Sequence, residues 1–166
     1  MSDIYTCLID TPLGKMRAAG REDAITGLWF EEQKYYPNIS EWTEAKEHYL
    51  FKSLSVWIDE YFAGEKEACD LPLFLSGTSF QMEVWGILRQ IKYGQSMTYG
   101  NIAKELSKKF GLSKMSAQAV GGAVGHNPIS ILIPCHRVLG SSGTLVGYAG
   151  GIDKKRFLLE LEGVNL

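Results

Sequence analysis

Residues 116–137 read SAQAVGGAVGHNPISILIPCHR: a helix-capping serine, a stretch almost without side-chain bulk, and an apolar run that halts at Pro134 before Cys135, His136 and Arg137. The spacing predicts a short helix from Ser116 to about Val124. Its residues Ala117, Ala119, Gly121, Gly122 and Ala123 leave it nearly without side-chain bulk, and the glycines weaken it by roughly 0.5–1 kcal/mol each relative to alanine. Small residues let another backbone or a ligand come close. Close packing against a neighbouring helix is one reading. Nucleic-acid contact is the other, and there small residues suit the narrow minor groove, whereas major-groove base reading uses long polar side chains.

Upstream, Thr98 to about Leu106 forms a second helical pattern joined to the first by a turn containing Gly111, which suits a helix-turn-helix. Before it, Thr78 followed by Gln81 is a capping box opening a helix through Val84, Leu88 and Ile91 to Gly94. Residues 65–77, with Glu65-Lys66-Glu67, Pro72 and Gly77, carry linker signals. The expected domains are therefore 1–76 and 77–166. In the first, strands are expected at Ile4 to Ile9, Lys15 to Ala19 and Ala24 to Phe30, with a turn at Thr11-Pro12-Leu13-Gly14. From Glu41 to Ala63, Leu50, Leu54, Trp57, Ile58 and Tyr61 recur at helical steps, and Gly64 stands at the cap position. The fold class is α/β: a small antiparallel sheet with one long helix, then a mostly helical domain with a helix-turn-helix and a buried reactive turn.

With 166 residues and 45% hydrophobic composition the chain can bury a core, which excludes a disordered or fibrous class. No stretch reaches the roughly 18–20 apolar residues of a membrane helix, and the first residues lack a secretory-signal profile, so a cytoplasmic location without membrane partners is expected. Cys7, Cys69 and Cys135 are too scattered for a disulfide framework or a structural zinc site. Charge is divided unevenly: residues 1–79 hold 7 Lys+Arg against 14 Asp+Glu, and residues 80–166 hold 10 against 5. A basic half suits a polyanionic partner, and an uneven solvated surface is the alternative.

Cysteine is a weak nucleophile near neutral pH because its thiol pKa is about 8.5, so Cys135 needs a base or a positive field. His136 and Arg137 follow it directly, and the apolar run Ile129, Ile131, Leu132, Ile133 suggests a rigid buried mount. A thiol hydrolase built on a Cys-His pair remains open on these residues. A metal site on Cys135, His126 and His136 lacks ligand spacing.

Pro134-Cys135-His136-Arg137 resembles the active-site signature of the O6-alkylguanine-DNA alkyltransferases. Gly77-Thr78-Ser79-Phe80-Gln81, Thr98-Tyr99, Ala119-Val120-Gly121-Gly122-Ala123, Asn127-Pro128, Ile131-Leu132-Ile133 and Gly150-Gly151 follow in that family's order. The resemblance covers residues 77–163, with a looser likeness upstream. It implies direct-reversal repair by a monomer: a minor-groove helix-turn-helix binds double-stranded DNA, O6-alkylguanine is flipped out, and Cys135 takes the alkyl group once and irreversibly. O4-alkylthymine stays open as a second substrate. No cofactor or metal is implied.

By the same resemblance, His136 is the base acting through a water in a relay that keeps the Cys135 thiol ionised, and Glu162 orients His136. Tyr99 assists flipping and donates to the leaving guanine, and Asn127 ties the reactive turn to the helix-turn-helix. Thr98, Ser116, Ala117, Gln118, Ala119 and Gly121 meet DNA, while Val138, Tyr148, Ala149 and Gly150 wall the pocket. Arg137 is read as structural rather than catalytic. Two departures stand out. Gln118 replaces the usual arginine finger, and Ala149 replaces a serine that can bond the guanine oxygen. Lys104, Lys108, Lys109 and Lys114 are expected to add phosphate contacts. A non-enzymatic lesion binder is the other function class, and its relatives lack the acceptor cysteine.

A neutral glutamine lacks the stacking plane and fixed donor fork of a guanidinium, so it should hold the extruded state less well. Gln118→Arg is expected to tighten binding to lesion-containing duplex and to speed repair in single-turnover assays. No gain in either would refute the finger assignment.

Overall fold

A computed structural model describes residues 3–166, which fall into two compact units. The first runs up to Leu75 and adds Pro128–Leu132, and the second comprises Ser76–Asn127 and Ile133–Leu166. By contacts, then, the second unit is interrupted within the span 77–166 that the sequence predicts as continuous. Pro128–Leu132 belongs to the first unit because its backbone pairs there: Leu28 donates to the Pro128 carbonyl and Ser130 to the Leu28 carbonyl, each at 2.9 Å.

In the first unit, β1 (Tyr5–Thr11) and β2 (Gly14–Gly20) form an antiparallel hairpin with Thr11 opposite Gly14. The connection Pro12-Leu13 is tight, and Gly14 has φ +99°, a conformation that favours glycine. The strand β3 (Ile25–Phe30) joins the free side of β2, and β4 (Thr43–Glu44) runs parallel to β1 at the other edge. Along β1, Cys7 and Ile9 are buried and Leu8 and Asp10 exposed, the alternation of a sheet with one covered face.

The cover is α1 (Tyr49–Phe62), which buries Leu50, Phe51, Leu54, Ile58 and Tyr61. It begins eight residues after the Glu41 expected from the sequence. Thr43 and Glu44 instead pair with Tyr5 and Thr6, Glu44 holds Arg17 at 2.7 Å, and the His48 imidazole accepts from the Leu50 amide to start the helix. Helical spacing of apolar residues begins only at Leu50, so nothing upstream has a core face to bury. Trp57, expected in the core, is half-buried, stacks on Tyr61 and donates to the Glu67 carbonyl. The end of the expected linker is ordered pairing: Ile25 donates to the Pro72 carbonyl and Phe74 to that of Ile25.

The second unit is mostly helical. Its first helix, α2 (Ser79–Leu88), opens on the expected Thr78–Gln81 capping box but stops at Leu88, with turns carrying the chain to Gly94 at φ +79°. The strand β5 (Met97–Thr98) leads into α3 (Tyr99–Phe110), where Thr98 and Asn101 form a second capping box. Gly111 closes α3 in the left-handed region at φ +67°. Ser116 caps α4 (Ala117–Gly125), whose buried side is Val120, Ala123 and Val124. A short β6 (Val138–Leu139) pairs in parallel with β5, and α5 (Ile152–Leu161) ends the chain.

Trp85 of α2 is almost fully buried and donates Nε1 to the Ala123 carbonyl of α4 at 2.9 Å. That bond fixes a helix whose own composition gives it little packing area. Trp85→Phe removes the indole donor and part of the ring volume, leaving the Ala123 carbonyl only the longer bond from the His126 amide at 3.3 Å, and about 1–3 kcal/mol of unfolding free energy should be lost. Urea denaturation checks this, and an unchanged midpoint would show that α4 is held by other contacts.

Candidate active site

Cys135 opens a single 3₁₀ turn, Cys135–Arg137, and is 5% exposed. The turn is held from behind: the Cys135 amide donates to the Ile133 carbonyl at 2.8 Å, and Asn127 Nδ2 donates to that same carbonyl at 2.7 Å. The bond from Asn127 closes the chain around Pro128–Leu132, where Ile131 has φ +71°, a strained conformation for a β-branched residue. Asn127 and the backbone amides of Cys135 and His136 also act on the sulfur. Burial pushes the Cys135 thiol up, and the Asn127 bond, the Lys155 charge and these two amides, in that order, pull it back only in part. Burial is the largest of these influences, so the site favours a neutral thiol at rest over the expected thiolate. A buried anion is costly, so proton removal must accompany the reaction.

His136 supplies the acceptor for that proton. It is fully buried, and its Nε2 lies 2.7 Å from Glu162 Oε2. Burial lowers its pKa, with the charges of Arg137 and Lys155 acting in the same direction and Glu162 opposing them. A neutral imidazole with Nε2–H on the carboxylate presents its lone pair at Nδ1, and Nδ1 is buried with no hydrogen-bond partner among the described residues. Glu162 in turn is gripped by Arg137, with Nε on Oε1 at 2.7 Å and Nη2 on Oε2 at 3.0 Å.

A groove of about 580 Å³ runs between the start of α3, the start of α4 and the loop after β6. It is lined by Thr98, Tyr99, Ala117, Gln118, Gly121, Gly140, Val146 and Gly147, among others. On α4, Ser116, Ala117, Gln118, Ala119 and Gly122 are exposed and Gly121 half-exposed. Ala117, Ala119 and Gly122 therefore face outward while Ala123 packs inward, and the outward set favours close approach of a ligand over packing between helices. Tyr99 links groove and thiol. Its hydroxyl is pushed up to about 12, by burial first and then by the Cys135 charge, so it remains a hydrogen-bond donor at neutral pH.

Residues 79–164 match the model of the 6-O-methylguanine DNA methyltransferase DNA binding domain, and residues 4–75 that family's ribonuclease-like domain. The chain belongs to the 6-O-methylguanine DNA methyltransferase family. It is 45% identical to the methylated-DNA–protein-cysteine methyltransferase of Mycobacterium bovis, over 96% of this chain and 92% of that one. The Haemophilus influenzae protein of the same name is 40% identical, over 99% and 89%. Among solved structures, Mycobacterium tuberculosis OGT in complex with DNA superposes with a TM-score of 0.84 at 42% identity, covering 96% of this chain and 92% of that one.

The methyltransferase brings Cys135, His136, Glu162 and Asn127 into one buried cluster, and Tyr99 into the groove wall. Val138 is not on a pocket surface, being fully buried in β6. The loop instead presents Val146 and Gly147 to the groove, with Tyr148, Ala149 and Gly150 following as half-buried residues. The lysine array is not uniformly cationic either. Lys109 is paired with Glu83 of α2, and Lys108 and Lys109 share a surface hollow with Glu83 and Glu105.

Lys155 was legible in the sequence and is absent from the expected site. It shares with Leu158, Leu159 and Glu162 the i, i+3, i+4, i+7 stripe of α5, and all four are buried. Its Nζ donates to the carbonyls of Val146 and Gly147 at 3.0 and 2.9 Å and lies 5.7 Å from the Tyr99 ring centroid. Burial lowers its pKa to about 8, and only the Cys135 charge raises it. The ammonium thus ties the groove loop to α5 and offers the forming thiolate a positive charge.

The folded pKa lies below that of the unfolded chain, so protonated Lys155 opposes folding below pH 8. That opposition fades as pH rises toward the unfolded value of 10.5. In a Cys135→Ala background, the protein with Lys155 is expected to gain stability from pH 8 to 10 relative to Lys155→Met. Parallel stability curves in denaturant would show that the ammonium is not desolvated.

Proposed function

We propose that this methyltransferase repairs DNA by moving the alkyl group of O6-alkylguanine to the Cys135 sulfur, once per molecule. The exposed small-residue face of α4 enters the minor groove, where side-chain bulk would block close approach. The lesion must leave the base stack, because a side-chain sulfur cannot align for in-line displacement inside the duplex. Gln118 at the groove edge occupies the gap left by the extruded base. The modified guanine then sits in the groove against Tyr99.

The sulfur attacks the alkyl carbon as the carbon–O6 bond breaks and its electron pair moves onto guanine. The thiol proton passes to His136 Nδ1 through a water, and Glu162 stabilises the imidazolium that results. Tyr99 donates a hydrogen bond to the guanine as charge develops on it, and Lys155 stabilises the sulfur while it is anionic. The observation that carries this reading is the unpartnered Nδ1 of His136 in the buried cluster with Cys135. It is a vacant acceptor on a ring whose other nitrogen is already committed to Glu162. The thioether product is stable, so the protein is consumed. It acts as a monomer, a reading supported by one chain carrying helix, groove and thiol together.

Incubation with a duplex containing one O6-methylguanine should add about one methylene of mass, mapped to Cys135 by peptide analysis and saturating at one equivalent. Cys135→Ala should bind the duplex and gain nothing. Lesion-selective binding without an adduct in the unaltered protein would replace this reading with that of a lesion flag, and turnover beyond one equivalent would exclude suicide transfer.

A further inference from the structure

Arg137 is part-buried, and its guanidinium reaches a carboxylate, a backbone carbonyl and an aromatic ring. Two nitrogens fork onto the two oxygens of Glu162, Nη1 donates to the Ile91 carbonyl at 2.6 Å, and the guanidinium carbon lies 5.8 Å from the Tyr93 ring centroid. The Glu162 side chain has no exposed surface, and one oxygen serves both Arg137 and His136. The carboxylate therefore stands between a permanent cation and a titratable ring.

We propose that Arg137 is a positioning residue that keeps His136 unprotonated at Nδ1 by occupying the charge of Glu162. Resting on the proton-transfer role proposed above for His136, the argument is electrostatic. A buried carboxylate beside an imidazole and lacking a cation draws a proton into the pair. The proton has two places to go, and both disable the base. On the ring it makes imidazolium, with hydrogen on both nitrogens. On Glu162 it makes a neutral acid that donates to Nε2, which forces the remaining ring hydrogen onto Nδ1. Arg137 prevents both outcomes, because its fork leaves Glu162 satisfied without a proton.

The other groups that act on the pair do not replace it. Tyr93, in the turn after α2, is uncharged at neutral pH, and its pKa is raised first by burial and then by Glu162. Lys155 of α5 also opposes the imidazolium, but it spends its hydrogen bonds on the Val146 and Gly147 carbonyls and makes none to Glu162. Cys135 is neutral until the reaction begins.

The test follows the imidazole nitrogens of His136 by nitrogen-15 NMR across pH, in the unaltered protein and in Arg137→Gln. Nδ1 should read as unprotonated near neutral pH in the first and as protonated in the second, with the titration midpoint raised by about one unit or more. The acid limb of single-turnover methyl transfer should move by the same amount, slowing the acid-side rate about tenfold per unit while the final extent stays at one equivalent. Arg137→Lys keeps a charge but not the fork, so it should shift both readouts in the same direction by less. That variant carries the test if the glutamine protein does not fold. Unmoved nitrogen titrations in the folded variants, with only lower stability, would make Arg137 a structural brace and overturn the proposal. Absence of methyl transfer in the unaltered protein would instead refute the proposed reaction, while the nitrogen shifts would still decide the role of Arg137.

Discussion

Glu162 brings a carboxylate into a place with no water, and its neighbours are arranged around that fact. A buried charge left alone costs several kcal/mol, so every lone pair needs a donor. Arg137 supplies two, His136 supplies one, and the Gly94 amide approaches Oε1 at 3.4 Å. These bonds join the end of α5, the 3₁₀ turn and the turns after α2 at one point. They also fix the tautomer of His136 and leave Nδ1 as the vacant acceptor. Structure and reactivity thus share one interaction, and disturbing it would affect both.

The thiol sits under a second constraint. Burial raises its pKa, so the resting site holds a neutral sulfur shielded from solvent. A neutral, buried thiol is a poor target for oxidants and stray electrophiles, which matters for a protein that reacts once. Reactivity then comes from groups already in place: Nδ1 of His136, the Asn127 amide and the Lys155 ammonium. None has to be recruited from solvent when a lesion arrives, and preorganised dipoles and charges of this kind are the main source of electrostatic catalysis.

The same trade between stability and access shapes α4. Its glycines weaken the helix and its alanines give it little packing area, and the losses are offset by the Ser116 cap and by the Trp85 bond to the Ala123 carbonyl. What remains outward is a backbone with little on it except Gln118. The groove loop carries a comparable arrangement, since the carbonyls of Val146 and Gly147 would be loosely held without Lys155.

Local signals in the sequence settled much of this protein. The Thr78–Gln81 capping box, the helix start at Thr98, the Gly111 turn and the Thr11-to-Gly14 turn all stand where their residues place them, because each is decided within four or five residues by sterics and backbone hydrogen bonding. The Pro134-Cys135-His136-Arg137 motif marked the reactive turn. Three things needed the folded chain. The start of α1 moved because Thr43 and Glu44 found a strand edge contributed by Tyr5 and Thr6, a pairing that no local window contains. Pro128–Leu132 joined the first unit because β3, about a hundred residues earlier, offered backbone partners. The roles of Arg137 and Lys155 depend on what lies opposite them: Glu162 is 25 residues from Arg137, and the sulfur is three-dimensionally close to Lys155 but distant in sequence. Side-chain chemistry is written in the sequence, but the charge state that chemistry works in is set by burial and by partners, which only the tertiary structure assembles.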